Sequence, residues 1–256
     1  MPFTISHAAA VLPLQKTRLP LAALMIGSMS PDFAYFLPGD PLRELTHSVA
    51  GIFWFCWPVS FGIWLLFVRV LEEPTRALLP DHWHDRFAAS DREFSLRVFV
   101  LASLAIVLGA ATHILWDSFT HRGTAVVDAF PALHAVAFHL HGWRIRWFML
   151  LQHLSSVLGF LALLIWAWRL PPIHNTSRAM PPASHATRMR AVAILIASSG
   201  SLAITGYALN SDLWFLRRLF HFAIGGMTGW VIAWLAIAIF ITRSAGRPLT
   251  APIPRE

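Results

Sequence analysis

Long apolar runs alternate with short polar ones along this chain. Five runs, at about residues 49 to 71, 97 to 117, 147 to 169, 191 to 209 and 221 to 242, approach the ~20 residues a helix needs to cross a bilayer. Trp143 and Trp147 precede the third run and Trp166 and Trp168 close it, as amphipathic rings prefer at headgroup level. Two shorter apolar pieces near the start, "SHAAAVLPL" and "LPLAALMIGSM", are separated by Lys16, Arg18 and Pro20 and are too short to cross. They predict short helices packed against the bundle or re-entering it.

Residues 72 to 95 read as a polar loop, and residues 170 to 190, "LPPIHNTSRAMPPASHATRMR", as a Pro- and Ser-rich connector without a core. The pattern therefore predicts an all-α fold, a polytopic membrane helical bundle of about five transmembrane helices plus short N-terminal membrane-associated helices. A single domain over residues 1–242 is expected, followed by a disordered tail, 243–256.

Composition agrees: 56% of the 256 residues are hydrophobic and 13% charged, far from the average of soluble domains. The one cysteine, Cys56, sits inside an apolar run, which excludes an intrachain disulfide or a cysteine-based zinc site. The net charge of +7 is spread along the chain, so it suggests a membrane surface or a phosphate-bearing substrate and no nucleic acid. The opening "MPFTISHAAAVLPLQKTRLP" lacks a basic region before its apolar part, so no cleaved signal peptide is expected. With five crossings, eight of the 20 Lys and Arg residues fall on the N-terminal side and twelve on the other, a bias toward a cytoplasmic C-terminus.

The candidate chemistry lies at the end of the second apolar run, in "GAATHILWDSFTH". His113 and Asp117 are four apart and share a helix face, with His121 one turn further on. The second run returns toward the N-terminal side, so this stripe meets His7, Asp32 and His47, which precede the first run, and His153, which begins the third. Ionisable residues at such depth face a cavity and pair, and imidazoles mixed with carboxylates suit a divalent metal.

Each residue also has a plainer explanation. Ser30 and Pro31 would open a helix and leave Asp32 in its first turn, facing the helix dipole. His47 would be an interfacial imidazole and His7 a turn residue. His153 would be a ligand, a partner of a ligand or a packing contact, and together the set would form a buried His–Asp hydrogen-bond network. The cluster "DHWHD", residues 81 to 85, falls in the polar loop on the opposite side and reads as a solvated loop. Asp212 and His221 read as turn residues.

The segments "MPFTISHAAAVLPL", "GSMSPDFAYFLPG", "THS" and "THILWDSFTH" resemble the bacterial domain-of-unknown-function 4184 family of integral membrane proteins. That family is in turn similar to LexA-binding inner-membrane metal-dependent hydrolases and, more distantly, to zinc-dependent phospholipase C and the single-strand nucleases of similar fold. The resemblance implies a bacterial inner-membrane location. It also implies that Asp32, His47, His113 and Asp117 hold one metal, with Asp117 bridging to a second held also by His7. His121 and His153 fall where the phospholipases hold a third metal. Val157 stands where those enzymes have a glutamate, so one or two ions, zinc foremost, are expected. The phospholipases also bind metal through a processed amino terminus, for which this sequence shows no sign.

Three functions follow as expectations. The first is a membrane-embedded metal-dependent hydrolase acting on a phosphoester, with membrane lipid around it and an amphiphilic, phosphate-bearing substrate. In it Arg122, and less so Arg144 and Arg146, would contact phosphate. The second is a non-enzymatic membrane protein with a structural His/Asp network or metal site. The third is a haem protein using histidines such as His139 and His153, which requires axial ligands from facing helices.

Overall fold

In the computed structural model, described for residues 4–36, 42–84, 86–87, 94–140, 142–171 and 180–244, the protein is all-α apart from one β-hairpin. Five helical stretches are long and apolar enough to cross a membrane, namely Val49–Leu78, Leu96–Ala129, Trp147–Arg169, His185–Leu209 and Arg217–Ser244. The chain is a multi-pass membrane protein. It divides into two compact units, Met1–Trp64 with Phe94–Arg169, and Leu65–Glu93 with Leu170–Glu256.

The first unit begins with a 3-10 helix, Thr4–Lys16, followed by α1 (Leu21–Met29), a second 3-10 helix Ser30–Phe36, and the short α2 (Arg43–Thr46). The helical stretch α3 (Val49–Leu78) comes next; Ser48 opens it by accepting from the Gly51 N–H at 3.0 Å. After α4 (Asp81–His84), which belongs to the second unit, comes α5 (Leu96–Thr120), capped by Ser95 accepting from the Val98 N–H at 3.2 Å. Two short helices, α6 (Ala125–Ala129) and α7 (Pro131–His134), lead to an antiparallel hairpin of β1 (Val136–Leu140) and β2 (Trp143–Arg146). Gly142 has φ 83° in its turn, a conformation that favours glycine. The hairpin runs straight into α8 (Trp147–Arg169).

Lipid tails are as apolar as leucine, so helices in a bilayer associate through close backbone packing more than through exclusion of water. Here α1 and α5 cross at Gly27 and Gly109. A Cβ at Gly27 would run into the Ile106 carbonyl, and one at Gly109 into the Leu24 carbonyl. The N-terminal 3-10 helix lies along α8 in the same manner. Gly159 leaves room for the Ser6 backbone, Ser6 Oγ donates to the Ser156 carbonyl at 2.7 Å, and Trp166 Nε1 donates to Gln15 Oε1 at 2.6 Å. These two contacts hold the 3-10 helix that carries His7 against α8.

The second unit is built on α9 (His185–Leu209) and α10 (Phe215–Ser244). Ala191, Leu195, Ala233 and Ile237 form its core, with Leu78 and Trp234 packed against them. Trp234 Nε1 donates to Thr75 Oγ1 at 2.7 Å, and Arg188 pairs with Asp81.

Several expectations are corrected. The polar loop starting at residue 72 is instead helical through Leu78, where buried Glu72, Glu73 and Arg76 extend the first span. Within "DHWHD", Asp81–His84 is a short helix with His84 buried, while residue 85 lies outside the described residues. Ser184 caps α9 by accepting from the Thr187 N–H at 3.2 Å, so the helix begins within the expected connector, of which residues 172–179 lie outside the described residues. Of the expected tail, Arg243 and Ser244 close α10 and the rest lies outside the described residues.

Candidate metal centre

The α1–α5 crossing brings the Ser28 carbonyl onto His113, which sits one turn beyond Gly109 on α5. His113 Nδ1 donates to Ser28 O at 2.7 Å, and the ring is fully buried. A carbonyl can only accept, so Nδ1 carries the proton and Nε2 points into the unit's interior. His47 Nδ1 lies 3.2 Å from the Arg43 carbonyl, one turn back, and 3.1 Å from Thr46 Oγ1; donation to the carbonyl gives it the same polarity, with Nε2 facing the carboxylates.

Asp117 lies between them. Its Oδ2 is 3.5 Å from His47 Nε2, 3.5 Å from His113 Nε2 and 3.4 Å from His121 Nδ1, while its Oδ1 is 3.5 Å from His7 Nε2. Asp32 Oδ1 stands 3.5 Å from His47 Nε2 and 3.8 Å from His113 Nε2. The His7 ring stacks on His113 with centroids 3.7 Å apart.

Asp32 is not a capping carboxylate as the sequence suggests. The segment Ser30–Phe36 follows α1 without a break, Ser30 Oγ donates back to the Gly27 carbonyl at 2.7 Å, and Asp32 Oδ2 accepts from Thr4 Oγ1 at 2.7 Å. Its other oxygen is left to the imidazoles.

Several atoms of this cluster are buried and lack a hydrogen-bond partner: Nε2 of His7, His47 and His113, and Oδ1 of Asp117. Separations of 3.5 Å with this geometry are not hydrogen bonds. Neutral imidazoles bonded through Nδ1–H present lone pairs to carboxylates, so acceptors face acceptors. Such an arrangement is stable only with a cation among them, either a proton or a metal. Tetrahedral ligands at ~2.0–2.1 Å stand about 3.3–3.4 Å from one another, close to the observed spacing. The residues thus fit a divalent metal. Two overlapping sets have ligand atoms all within 4.8 Å of one another, His7/His113/Asp117 and Asp32/His47/His113.

Charge states outside the spans follow from this packing. Burial, reinforced by His113 beside it, lowers the His7 pKa to about 4, so His7 is neutral near pH 7. Burial alone would also lower that of His47, but the facing Asp117 and Asp32 outweigh it and raise the value. Burial would raise that of Asp32, yet His47, His113 and Thr4 hold it below the usual carboxylate range.

The remaining sequence candidates sit differently. His121 faces Asp117 through Nδ1, while its Nε2 lies 3.2 Å from Gln152 Nε2, so it holds Asp117 from behind. His153 is exposed on α8, and its buried neighbour Gln152 is the residue that reaches the cluster. Arg122 and Arg144 are exposed, and Arg146 donates to the His134 carbonyl at 3.0 Å. His139 lies on β1, so it does not supply the facing-helix geometry of a haem pair with His153.

Sequence reasoning passed over Thr4, Arg43 and Gln152. Arg43 NH2 is 3.8 Å from Asp117 Oδ2. Two of the three carried a signal: Thr4 is one 3-10 turn before His7, and Arg43 one α-turn before His47.

The fold and this cluster define a multi-pass α-helical membrane protein with a buried His/Asp centre suited to metal. The chain belongs to the family described as "Domain of unknown function (DUF4184)", which matches residues 1–243. No curated protein and no solved structure matches the chain.

Proposed function

We propose that the protein is a membrane-embedded metal-dependent hydrolase acting on a phosphoester, with lipid-linked esters the substrates nearest to hand. The supporting observation is the convergence of three imidazole Nε2 atoms and an Asp117 oxygen, all buried and without hydrogen-bond partners. His7, Asp32, His47, His113 and Asp117 would hold one or two divalent ions, and a nitrogen and oxygen donor set with these spacings suits zinc. Asp117 has one oxygen toward His7 and the other toward His47 and His113, which suits a bridging carboxylate.

A bound divalent ion would supply Lewis acidity toward a phosphoryl oxygen and an activated water near neutral pH. The chain's own residues hold the ligands in place. Ser28 fixes the His113 tautomer, Thr4 orients Asp32, and His121 with Gln152 steadies Asp117. The apolar surroundings exclude bulk water and strengthen each of these interactions.

The burial of the ligands favours a second reading, a structural metal site in a non-enzymatic protein, because structural sites are closed. Turnover separates the two. Detergent-purified protein reconstituted with zinc or manganese is expected to hydrolyse phosphomonoesters or phosphodiesters, and His113→Ala to abolish this. Stoichiometric metal without turnover on soluble and phospholipid esters would contradict the hydrolase and leave the structural reading.

A further inference from the structure

Among the described residues facing Asp117, Arg43 is the most exposed. The side chains of His7, Asp32, His47, His113 and Asp117 are 0–9% exposed, whereas that of Arg43 is 35% exposed while its guanidinium still reaches to 3.8 Å from Asp117 Oδ2. Tyr35 lies close enough to Arg43 to feel its charge.

The charges around this arginine bear on its role. Asp32 and Asp117 carry two negative charges, which one divalent ion neutralises. A loaded centre would engage the Asp117 oxygens itself and leave the guanidinium without that carboxylate partner. Such a loaded site would be net positive at the edge that carries Arg43, and more so with a second ion. Phe36, Leu42 and Leu45, which flank Tyr35 and Arg43 in sequence, are exposed apolar side chains. An anionic head beside a hydrocarbon chain matches this combination.

Building on the hydrolase reading, we infer that Arg43 is the substrate-anion receptor of this centre, binding the phosphoryl head of an amphiphile through its guanidinium. Its planar fork of donors suits phosphoryl oxygens, and the neighbouring apolar residues suit the tail. This role falls to Arg43 in place of Arg122, which is exposed in the turn after α5.

The test measures the binding of inorganic phosphate to zinc-loaded, detergent-purified full-length protein by calorimetry, with zinc content determined on the same samples. Arg43→Gln is expected to keep its zinc and to bind phosphate at least tenfold more weakly than wild type. A smaller loss at equal zinc content overturns the inference while leaving the metal centre standing, as does zinc-loaded wild type that binds no phosphate. Wild type that takes up no zinc overturns the hydrolase reading and this inference with it. A second measurement avoids dependence on the variant. Phosphate is expected to protect Arg43 of zinc-loaded wild type from phenylglyoxal, read by peptide mass, and unprotected Arg43 contradicts the proposal.

Discussion

His113 Nδ1 donates to the Ser28 carbonyl at 2.7 Å, tying α5 to α1 at the floor of the centre. The bond exists because Gly27, next to Ser28, and Gly109, one turn before His113, let the two backbones approach. Helix packing and ligand orientation are therefore one feature of the fold.

Gly109→Leu is expected to wedge α1 from α5 and cost about 1–3 kcal/mol, the usual range for overpacking. It should also lower zinc retention by moving Ser28 off His113. Gly62, whose added Cβ would meet nothing within 4 Å, is the control. Gly62→Ala should be neutral or stabilising by up to about 1 kcal/mol. Thermal unfolding in detergent with zinc analysis checks both, and equal behaviour of the two variants would disprove the link.

Gln152 and His153 are adjacent but have opposite surroundings, one buried against His121 and the other exposed. Gln152→Leu is expected to weaken zinc binding by roughly tenfold, the lower end of effects from residues that support ligands. His153→Ala should leave affinity unchanged. Competition with a chromophoric chelator measures both, and the reverse order would restore His153 as a ligand.

The metal-free protein should lose stability in acid through His7. Its folded pKa is depressed from 6.5 to about 4, so the unfolded chain binds the proton more readily, and stability falls as pH drops from 6.5 toward 4. His47 has the opposite sign, because its raised folded value stabilises the metal-free protein below 6.5 and that contribution fades as pH rises. His7→Gln is therefore expected to flatten the loss between pH 6.5 and 4, as followed by thermal unfolding of chelator-treated protein. An unchanged profile would remove His7 as its source.

Much of this was legible from sequence for a physical reason. A transmembrane helix satisfies its backbone within itself, so the five apolar runs announce themselves without tertiary context. The helix ends were harder to read. Ser184 begins α9 among polar residues, and buried Glu72, Glu73 and Arg76 extend the first span where polarity suggested a loop. The hairpin Val136–Arg146 was missed because two short strands leave little periodicity beside a long apolar run.

In the candidate site, His113 and Asp117 were visible as a helical stripe, and topology added His7, Asp32 and His47. Gln152 escaped because only the packing of α8 beside α5 turns it, and not His153, toward His121. Arg43 escaped because no apolar run marks α2, a four-residue helix.

The central claim is that the unpartnered Nε2 atoms and Asp117 are ligands, and elemental analysis tests it most directly. Wild type, His113→Ala and Asp117→Asn are each purified in detergent, reconstituted with zinc or manganese and dialysed. Wild type is predicted to retain one or two ions per chain and both variants to lose most of them. Equal metal in all three proteins, or none in wild type, would contradict the metal centre.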